Sequence, residues 1–261
     1  MPNKFFGGLD FGTSGARISI INDDKELKYS NSVPYKYGFK NPISWINSCE
    51  NLIDDLPLKI KKYIVNLAIS GTSGTLTACN LKGEPIGLAI PYDKACNDNK
   101  ILLESITIGE DHLRTPYSSI AKALQLIDKF GKNILLRHQS DWITGWFLKD
   151  WTYGEEGNNL KLGWDLIKES WPKSYLNTSW QKCLPQIIKS GRIIGPIDSD
   201  LAKRFKLNKQ VQLISGTTDS NAAFLAAGLS KEEGLTVLGT TIVVKKINKT
   251  PIKEKGITTH R

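Results

Sequence analysis

The sequence predicts an α/β domain built on a mixed five-stranded sheet flanked by helices, and three observations carry that expectation. The N-terminus reads as successive short strands with a glycine-rich turn after the first. Further on, helical periods of apolar residues alternate with buried-strand runs. Glycine- and hydroxyl-rich segments fall where strands end, the place where α/β proteins put ligands.

Residues 4–10 and 15–22 each show a strand pattern, and residues 26–32 extend the same antiparallel sheet after the polar turn 22–25. Residues 42–60 place Trp45, Ile46, Leu52, Ile53 and Leu56 at helical intervals and lead into a buried-strand run at 63–70. A helix crossing to a parallel strand follows from that order. Residues 76–80 and 86–90 read as a hairpin about Lys82-Gly83-Glu84, and residues 118–130 and 141–148 read as helices. Residues 184–197 read as loop because of Gly191, Gly195 and Pro196. A strand at 210–215, a small-residue helix at 221–229 and two strand patterns at 235–238 and 242–247 complete the order. Six of the seven tryptophans lie between Trp142 and Trp180; aromatic pairs at helical spacing usually pack inward, so core is preferred over a sugar-stacking surface.

Composition narrows the function. With 261 residues, 40% of them hydrophobic and 23% charged, the chain can bury a core. The formal net charge of +9 comes mostly from scattered lysines; only six of the 35 basic residues are arginines, and no basic-aromatic motif accompanies them. Nucleic acid is therefore not an expected partner, whereas an anionic nucleotide suits the charge. No apolar run is long enough to span a bilayer and no cleavable hydrophobic segment follows Met1, which makes a cytoplasmic protein the expectation and a membrane partner not. Cys49, Cys79, Cys96 and Cys183 are far apart and unaccompanied by clustered histidines, so buried, idle thiols are expected.

Three turns carry chemistry. Asp10-Phe11-Gly12-Thr13-Ser14-Gly15 lies between two strands, so that its backbone N–H groups and the hydroxyls of Thr13 and Ser14 can face phosphate oxygens. Asp10, at the strand end, is placed to hold a hydrated Mg²⁺, which takes one or two carboxylates plus phosphates. An ordinary glycine hairpin is the competing reading; against it stands a second strand-Gly-Thr-Thr-strand turn at Gly239-Thr240-Thr241, since two such turns can grip one triphosphate from both sides. No Walker-type GxxxxGK[ST] occurs. In the third turn, Gly216-Thr217-Thr218-Asp219, a strand gives way to a helix, and Asp219 can accept a hydroxyl proton as that oxygen attacks a γ-phosphate. A helix-capping role for Asp219 is the structural alternative, and the two are compatible. Gly71-Thr72-Ser73-Gly74-Thr75 offers a sugar-hydroxyl contact from Ser73 or is a plain connecting loop; Tyr92-Asp93 faces a sugar or is an exposed turn.

These residues together resemble the N-terminal part of the FGGY carbohydrate kinases, which belong to the actin-like ATPases. Gly8 to Arg17 resembles the family's first phosphate motif; the segment Asn158-Asn159-Leu160-Lys161-Leu162-Gly163-Trp164-Asp165, then Trp171-Pro172, Leu184-Pro185 and Gly195, resembles its middle landmarks in order. Residues 215–219 resemble its catalytic-base segment and residues 238–241 the opening phosphate loop of its second domain. The pairing of residues 71–75 with 215–220 is similar to cyanobacterial and plant kinases acting on ribulose or xylulose. The resemblance implies an actin-like (ribonuclease H-like) first domain over 1–234, with 235–261 opening a second domain that the chain does not complete. It implies phosphorylation of a ketopentose terminal hydroxyl, D-ribulose before D-xylulose, using ATP and Mg²⁺. Asp219 would be the base, Asp10 the metal contact, and Gly12, Thr13, Ser14, Gly239, Thr240 and Thr241 the phosphate contacts, with Ser73, Asp93 and Asp219 on the sugar. Cys96 stands where many relatives have arginine, so one sugar-side contact departs from the pattern. A truncated, non-catalytic fragment and a polymer-forming or chaperone-type ATPase of the same fold are the rival expectations.

Overall fold

The structure is a computed structural model describing residues 4–176, 178–238, 242–252, 254 and 256–260. The first three strands, β1 (Phe5–Phe11), β2 (Gly15–Asn22) and β3 (Leu27–Pro34), pair antiparallel in sequence order. In β2, Ala16, Ile18 and Ile20 are buried while Arg17 and Ser19 point outward, the period of two that one wet face demands. Helix α1 (Pro42–Asp54) starts where Asn41 accepts from the Ile43 amide at 3.0 Å, and it buries Trp45, Cys49, Leu52 and Ile53 on one stripe. It stops short of the expected residue 60, because Pro57 has no N–H for a helical bond; a separate turn, α2 (Leu58–Lys61), follows. Strand β4 (Ile64–Gly71) then lies parallel to β1.

The expected hairpin at 76–90 forms, in an irregular way, about a turn in which the Gly83 amide bonds the Asn80 carbonyl at 2.9 Å. β5 (Leu76–Cys79) exchanges both amide bonds with Ile90, the Ala78 carbonyl accepts from Ile86 N at 3.0 Å, and β5 also pairs antiparallel with β6 (Leu135–His138). Between them come α3 (Lys100–Ile106) and α4 (Ser119–Phe130), the latter capped by Ser118 and closed by Gly131. After α5 (Gln139–Leu148), β7 (Tyr153–Glu155) leads into α6 (Glu156–Asn159), and α7 (Lys173–Leu176) precedes β8 (Gln186–Ile188), which pairs parallel with β7. Residues 193–196, which read from sequence as loop, form β9 (Ile193–Pro196), an edge strand where Pro196 and Gly195 are tolerated. α8 (Ser199–Phe205) and β10 (Gln212–Thr218) complete the main sheet, whose order is β3-β2-β1-β4-β10-β9. It therefore has six strands, the sixth being the glycine- and proline-bearing edge that the pattern conceals.

Two apolar cores result. One packs Leu9, Phe11, Ile18, Trp45, Ile69, Phe147, Phe205 and Leu213 between sheet and helices. The other gathers Leu103, Ile120, Leu124, Leu136, Tyr175 and Trp180 among α3, α4 and the β5-β6 pair. Trp142 and Trp180 are buried, in line with the core reading, and Trp142 stands edge-on to Trp45 at 5.8 Å. All four cysteines are buried and unpaired. After α9 (Asp219–Ala226), β11 (Gly234–Leu238) and β12 (Ile242–Lys246) form a hairpin outside the main sheet. Among the described residues, no helix is long and apolar enough to cross a membrane.

One close backbone approach sets where β10 ends. β10 runs parallel to β4 in register to Ile214, then slips, so that Ser215 and Gly216 together face Ile69 before Thr217 meets Ser70 and Thr218 meets Gly71. A Cβ on Gly216 would stand 1.9 Å from the Ile69 carbonyl oxygen. Only glycine fits. Gly216→Ala is expected to destabilise the protein by about 2–3 kcal/mol, by forcing the two central strands apart. Urea unfolding, with Gly195→Ala as comparison, checks it; equal midpoints for the two variants would refute the constraint, since Gly195 meets nothing closer than 3.5 Å.

Candidate active site

The β10 bulge ends at the N-terminus of α9, and the helix is capped there by Thr218, whose hydroxyl accepts from the Asn221 amide at 3.3 Å. The cap is thus supplied one residue before Asp219, and the Asp219 carboxylate accepts instead from its neighbour's amide, Ser220 N, at 2.7 Å. The adjacent strand pairing sets Asp219 beside the loop after β4. Asp219 is half-buried, and its carboxyl is held above the ordinary value, first by burial and then by the charge of Asp10, against the pull of the Ser220 and Ser73 amides and of Lys161.

A cleft of 590 Å³ opens between these elements, lined by Asp10, Gly12, Thr13, Ser14, Arg17, Thr72 and Asp219, with Tyr92 at its rim. It brings together Asp10, the β1-β2 turn and Asp219, residues separated by more than two hundred positions. The turn is tight: the Gly12 amide bonds the Gly15 carbonyl at 3.0 Å, and Tyr35 Oη donates to the Gly12 carbonyl at 2.9 Å. Thr13 and Ser14 are left exposed at its tip. Asp10 Oδ1 accepts from Ser70 Oγ at 2.9 Å, while Oδ2 faces Arg17 at 3.7 Å. Asp93 stands exposed in the turn beside Tyr92 and does not line the cleft. Gly239, Thr240 and Thr241 lie outside the described residues. A larger recess of 990 Å³, lined by Trp142, Trp146, Trp151 and Arg137, contains none of the residues singled out by the sequence. The smaller cleft carries the converging polar groups, and chemistry rather than size marks it as the site.

The loop 71–75 is clamped from beneath. Gln139 Oε1 accepts from both the amide and the hydroxyl of Thr72, at 3.0 and 2.8 Å, and the Thr72 and Thr75 hydroxyls are 2.7 Å apart. Asn158 Oδ1 accepts from the Gly74 amide at 3.2 Å while its Nδ2 donates to Ser140 Oγ at 3.1 Å. Gln139 and Asn158 are both fully buried and hold this loop in place; Asn158 enters the sequence reading only as part of a middle-region landmark and Gln139 not at all, and the polar type of two residues inside otherwise apolar neighbourhoods is the available signal. Asn158 is held in turn by Glu155, which accepts from the Asn158 and Gly157 amides, and Asp141 accepts from Glu155 N at 2.8 Å and Asn159 Nδ2 at 2.9 Å.

Comparison with known proteins extends the geometry. No family profile matches the chain. Over 273 residues, 91% of this chain and 52% of the relative, it is 23% identical to the xylulose kinase of Lactococcus lactis subsp. lactis (strain IL1403). Its structure superposes on the ligand-bound xylulose kinase of Lactobacillus acidophilus with a TM-score of 0.81 and 16% identity, covering 97% of this chain and 56% of that one. Plasmodium falciparum glycerol kinase with ADP gives 0.74 and 15% over 93% of this chain and 54% of that one. Its fold is that of the actin-like sugar kinases. The chain spans about half the length of the curated relatives it matches, 52% and 55%. The expectation of an actin-like α/β domain is met by this superposition, with the sheet one strand wider than expected.

The buried pair beneath the loop has a consequence for stability. Burial, and then the charge of Asp141, hold the Glu155 carboxyl well above its ordinary range. A carboxyl raised in the folded state binds a proton there that the unfolded chain has already lost. Its contribution is complete below the unfolded value and declines as pH rises toward the folded one. Glu155→Gln is therefore expected to flatten the fall in thermal midpoint between about pH 5 and 8. Thermal melts of both proteins across that range check it, and parallel curves would refute it.

Proposed function

We propose that this chain is the sugar- and phosphate-binding part of an ATP-dependent kinase that phosphorylates a terminal hydroxyl of a ketopentose. The observation that carries it is the single cleft joining Asp10, the Gly12–Ser14 turn and Asp219. D-Xylulose is supported by relatives named xylulose kinase, and D-ribulose by the likeness of residues 71–75 and 215–220 to the ribulose and xylulose branch. Residues 1–234 form the first domain in this proposal and 235–261 open the second. Gly239, Thr240 and Thr241 belong to the phosphate contacts, and Ser73 and Asp93 to the sugar side.

The chemistry follows from the residues. Asp219 takes the proton of the sugar hydroxyl as that oxygen forms its bond to the γ-phosphorus and the bond to the bridging oxygen of ADP breaks. Its raised carboxyl brings the base closer to the pH at which it works. The amides and hydroxyls at Thr13 and Ser14 are exposed toward the cleft, where they can donate to phosphate oxygens. Arg17 presents a guanidinium on the same wall.

The donor set fits Mg²⁺. Among the described residues no group of three His, Cys, Asp or Glu gathers, and Mg²⁺ bound with phosphates asks for only one or two carboxylates. Asp10 supplies one, oriented by Ser70. When bound, the ion would neutralise charge on the phosphates. Ser70 and Arg17 keep the Asp10 carboxylate facing the cleft in readiness for it.

Asp219→Asn is expected to lower kcat about 10²-fold or more while leaving the thermal midpoint unchanged or higher at neutral pH, since it removes a desolvated charge. ADP release with D-xylulose and D-ribulose, from the protein expressed over its complete reading frame, tests the proposal. Turnover in Asp219→Asn equal to that of the parent would overturn the base assignment. Asp10→Asn is expected to raise the Mg²⁺ concentration needed for half-maximal rate, and an unchanged Mg²⁺ dependence would count against its metal role.

A further inference from the structure

Tyr35 belongs to none of the sequence motifs, yet in the fold it grips the β1-β2 turn at two points. Its amide donates to the Ser14 carbonyl at 3.2 Å, and its hydroxyl donates to the Gly12 carbonyl at 2.9 Å. Inside the turn the Gly12 amide is spent on the Gly15 carbonyl at 3.0 Å. Gly15 lies opposite Pro34, and a Cβ on it would stand 2.2 Å from the Val33 carbonyl oxygen. The end of β3 is thus a bed on which residues 12–15 are laid, and Tyr35 ties them to it.

The two faces of this bed differ. Asp10 is paired with Arg17, and Arg17 with Ser32; the three share one face of the sheet, and all line the cleft. Side chains alternate along a strand, so Ser32 and Pro34 fall on the cleft face, while Val33 and Tyr35 fall on the other and pack against the main core. The Tyr35 ring stacks on Phe39 with centroids 6.2 Å apart, and the Phe39 carbonyl accepts from the indole N–H of buried Trp45 at 2.9 Å. The phenol therefore reaches the Gly12 carbonyl from the core side, on a ring that is itself held.

A trans peptide plane sets its C=O and N–H in opposite directions. With the Gly12 carbonyl drawn toward the core, the N–H of the same plane, that of Thr13, is turned to the cleft side. Among the described residues that amide has no hydrogen-bond partner. Successive amides in a tight turn are what an anion-binding concavity is made of. Gly12 imposes little φ/ψ restriction of its own, so the plane that follows it needs an outside hold to keep one orientation.

We propose that Tyr35 is a positioning residue for the nucleotide: its hydroxyl holds the Gly12 carbonyl from the core side and so keeps the Thr13 amide aimed at a phosphate oxygen. This rests on the reading of residues 12–14 as phosphate contacts. Tyr35 itself touches neither nucleotide nor sugar. What it supplies is preorganisation, because a donor fixed before the phosphate arrives costs less to engage than one that must be ordered on binding. The loop 71–75 and Asp219 are held by other bonds, so the effect falls on the nucleotide and spares the sugar.

The test compares the parent, expressed over its complete reading frame, with Tyr35→Phe and Tyr29→Phe. Tyr35→Phe keeps the ring, its stacking and the backbone bond to Ser14, and removes only the hydroxyl. Tyr29→Phe is the control, since it removes a hydroxyl of the same strand that donates to the Asp55 carbonyl at 3.3 Å, away from the cleft. The probe is the Mg²⁺ complex of the β,γ-imido analogue of ATP, read by calorimetric Kd and by the ¹⁵N-resolved Thr13 amide resonance; kinetics supply KM for ATP and for the ketopentose. In Tyr35→Phe the analogue Kd and the ATP KM are expected to rise about 3- to 10-fold, the range of one lost hydrogen bond. The Thr13 amide should respond less to the analogue, and the ketopentose KM should stay as it was. Tyr29→Phe should match the parent throughout. An unchanged analogue Kd in Tyr35→Phe would overturn the proposal, as would an equal rise in Tyr29→Phe or in the ketopentose KM. A Thr13 amide that ignores the analogue in the parent would instead remove residues 12–14 from the phosphate contacts, and the role of Tyr35 with them.

Discussion

The site depends on one close approach, that of the β10 backbone at Gly216 to the Ile69 carbonyl of β4. Two parallel strands in unbroken register would send Thr217, Thr218 and Asp219 one position out of step with Ser70 and Gly71. The bulge absorbs one residue, so that β10 ends level with β4, and the helix and the loop beyond them leave from adjacent points. Because β1 is β4's other parallel neighbour, Asp10 is opposite Ser70 and bonds to it. Three strand ends in one row are thus sufficient to bring Asp10, Ser73 and Asp219 together, as expected where ligands sit beyond strand C-termini.

That arrangement concentrates negative charge. The charge of Asp10 makes the ionisation of Asp219 harder, and Asp219 is partly desolvated as well. The local answer is a set of donors that lies outside the cores: Ser70, Arg17 and the Ser220 amide. Below the loop a second acidic pair, Asp141 and Glu155, is buried outright, and there amide donors and a retained proton take the place of cations. The two pairs differ in purpose. The exposed one lines the cleft, whereas the buried one secures Asn158, and hence Gly74, by staying fixed.

The difference in legibility between these regions is physical. Asp10, Gly12, Thr13, Ser14 and Asp219 stand out because a glycine turn followed by an acid is local in sequence, and the strand patterns beside them are regular. β9 reads as loop because its edge position tolerates the glycine and proline that argue against a strand. The central turn of 76–90 points to a hairpin, which forms, but β5 also pairs with β6, almost sixty residues on, which no local pattern encodes. Gln139 and Asn158 act through hydrogen bonds to residues 67 and 84 positions away, so their role exists only once the chain is folded.

Asp219 shows how the fold can separate two readings that the sequence leaves side by side. A carboxylate at a helix start is an ordinary cap, and sequence leaves that reading beside the catalytic one. In the fold the capping bond belongs to Thr218, so the helix does not need the Asp219 carboxylate. Its desolvation near Asp10 is a cost to folding that no local contact in α9 requires, and strain or unfavourable charge of this kind concentrates where a protein must act rather than merely stand.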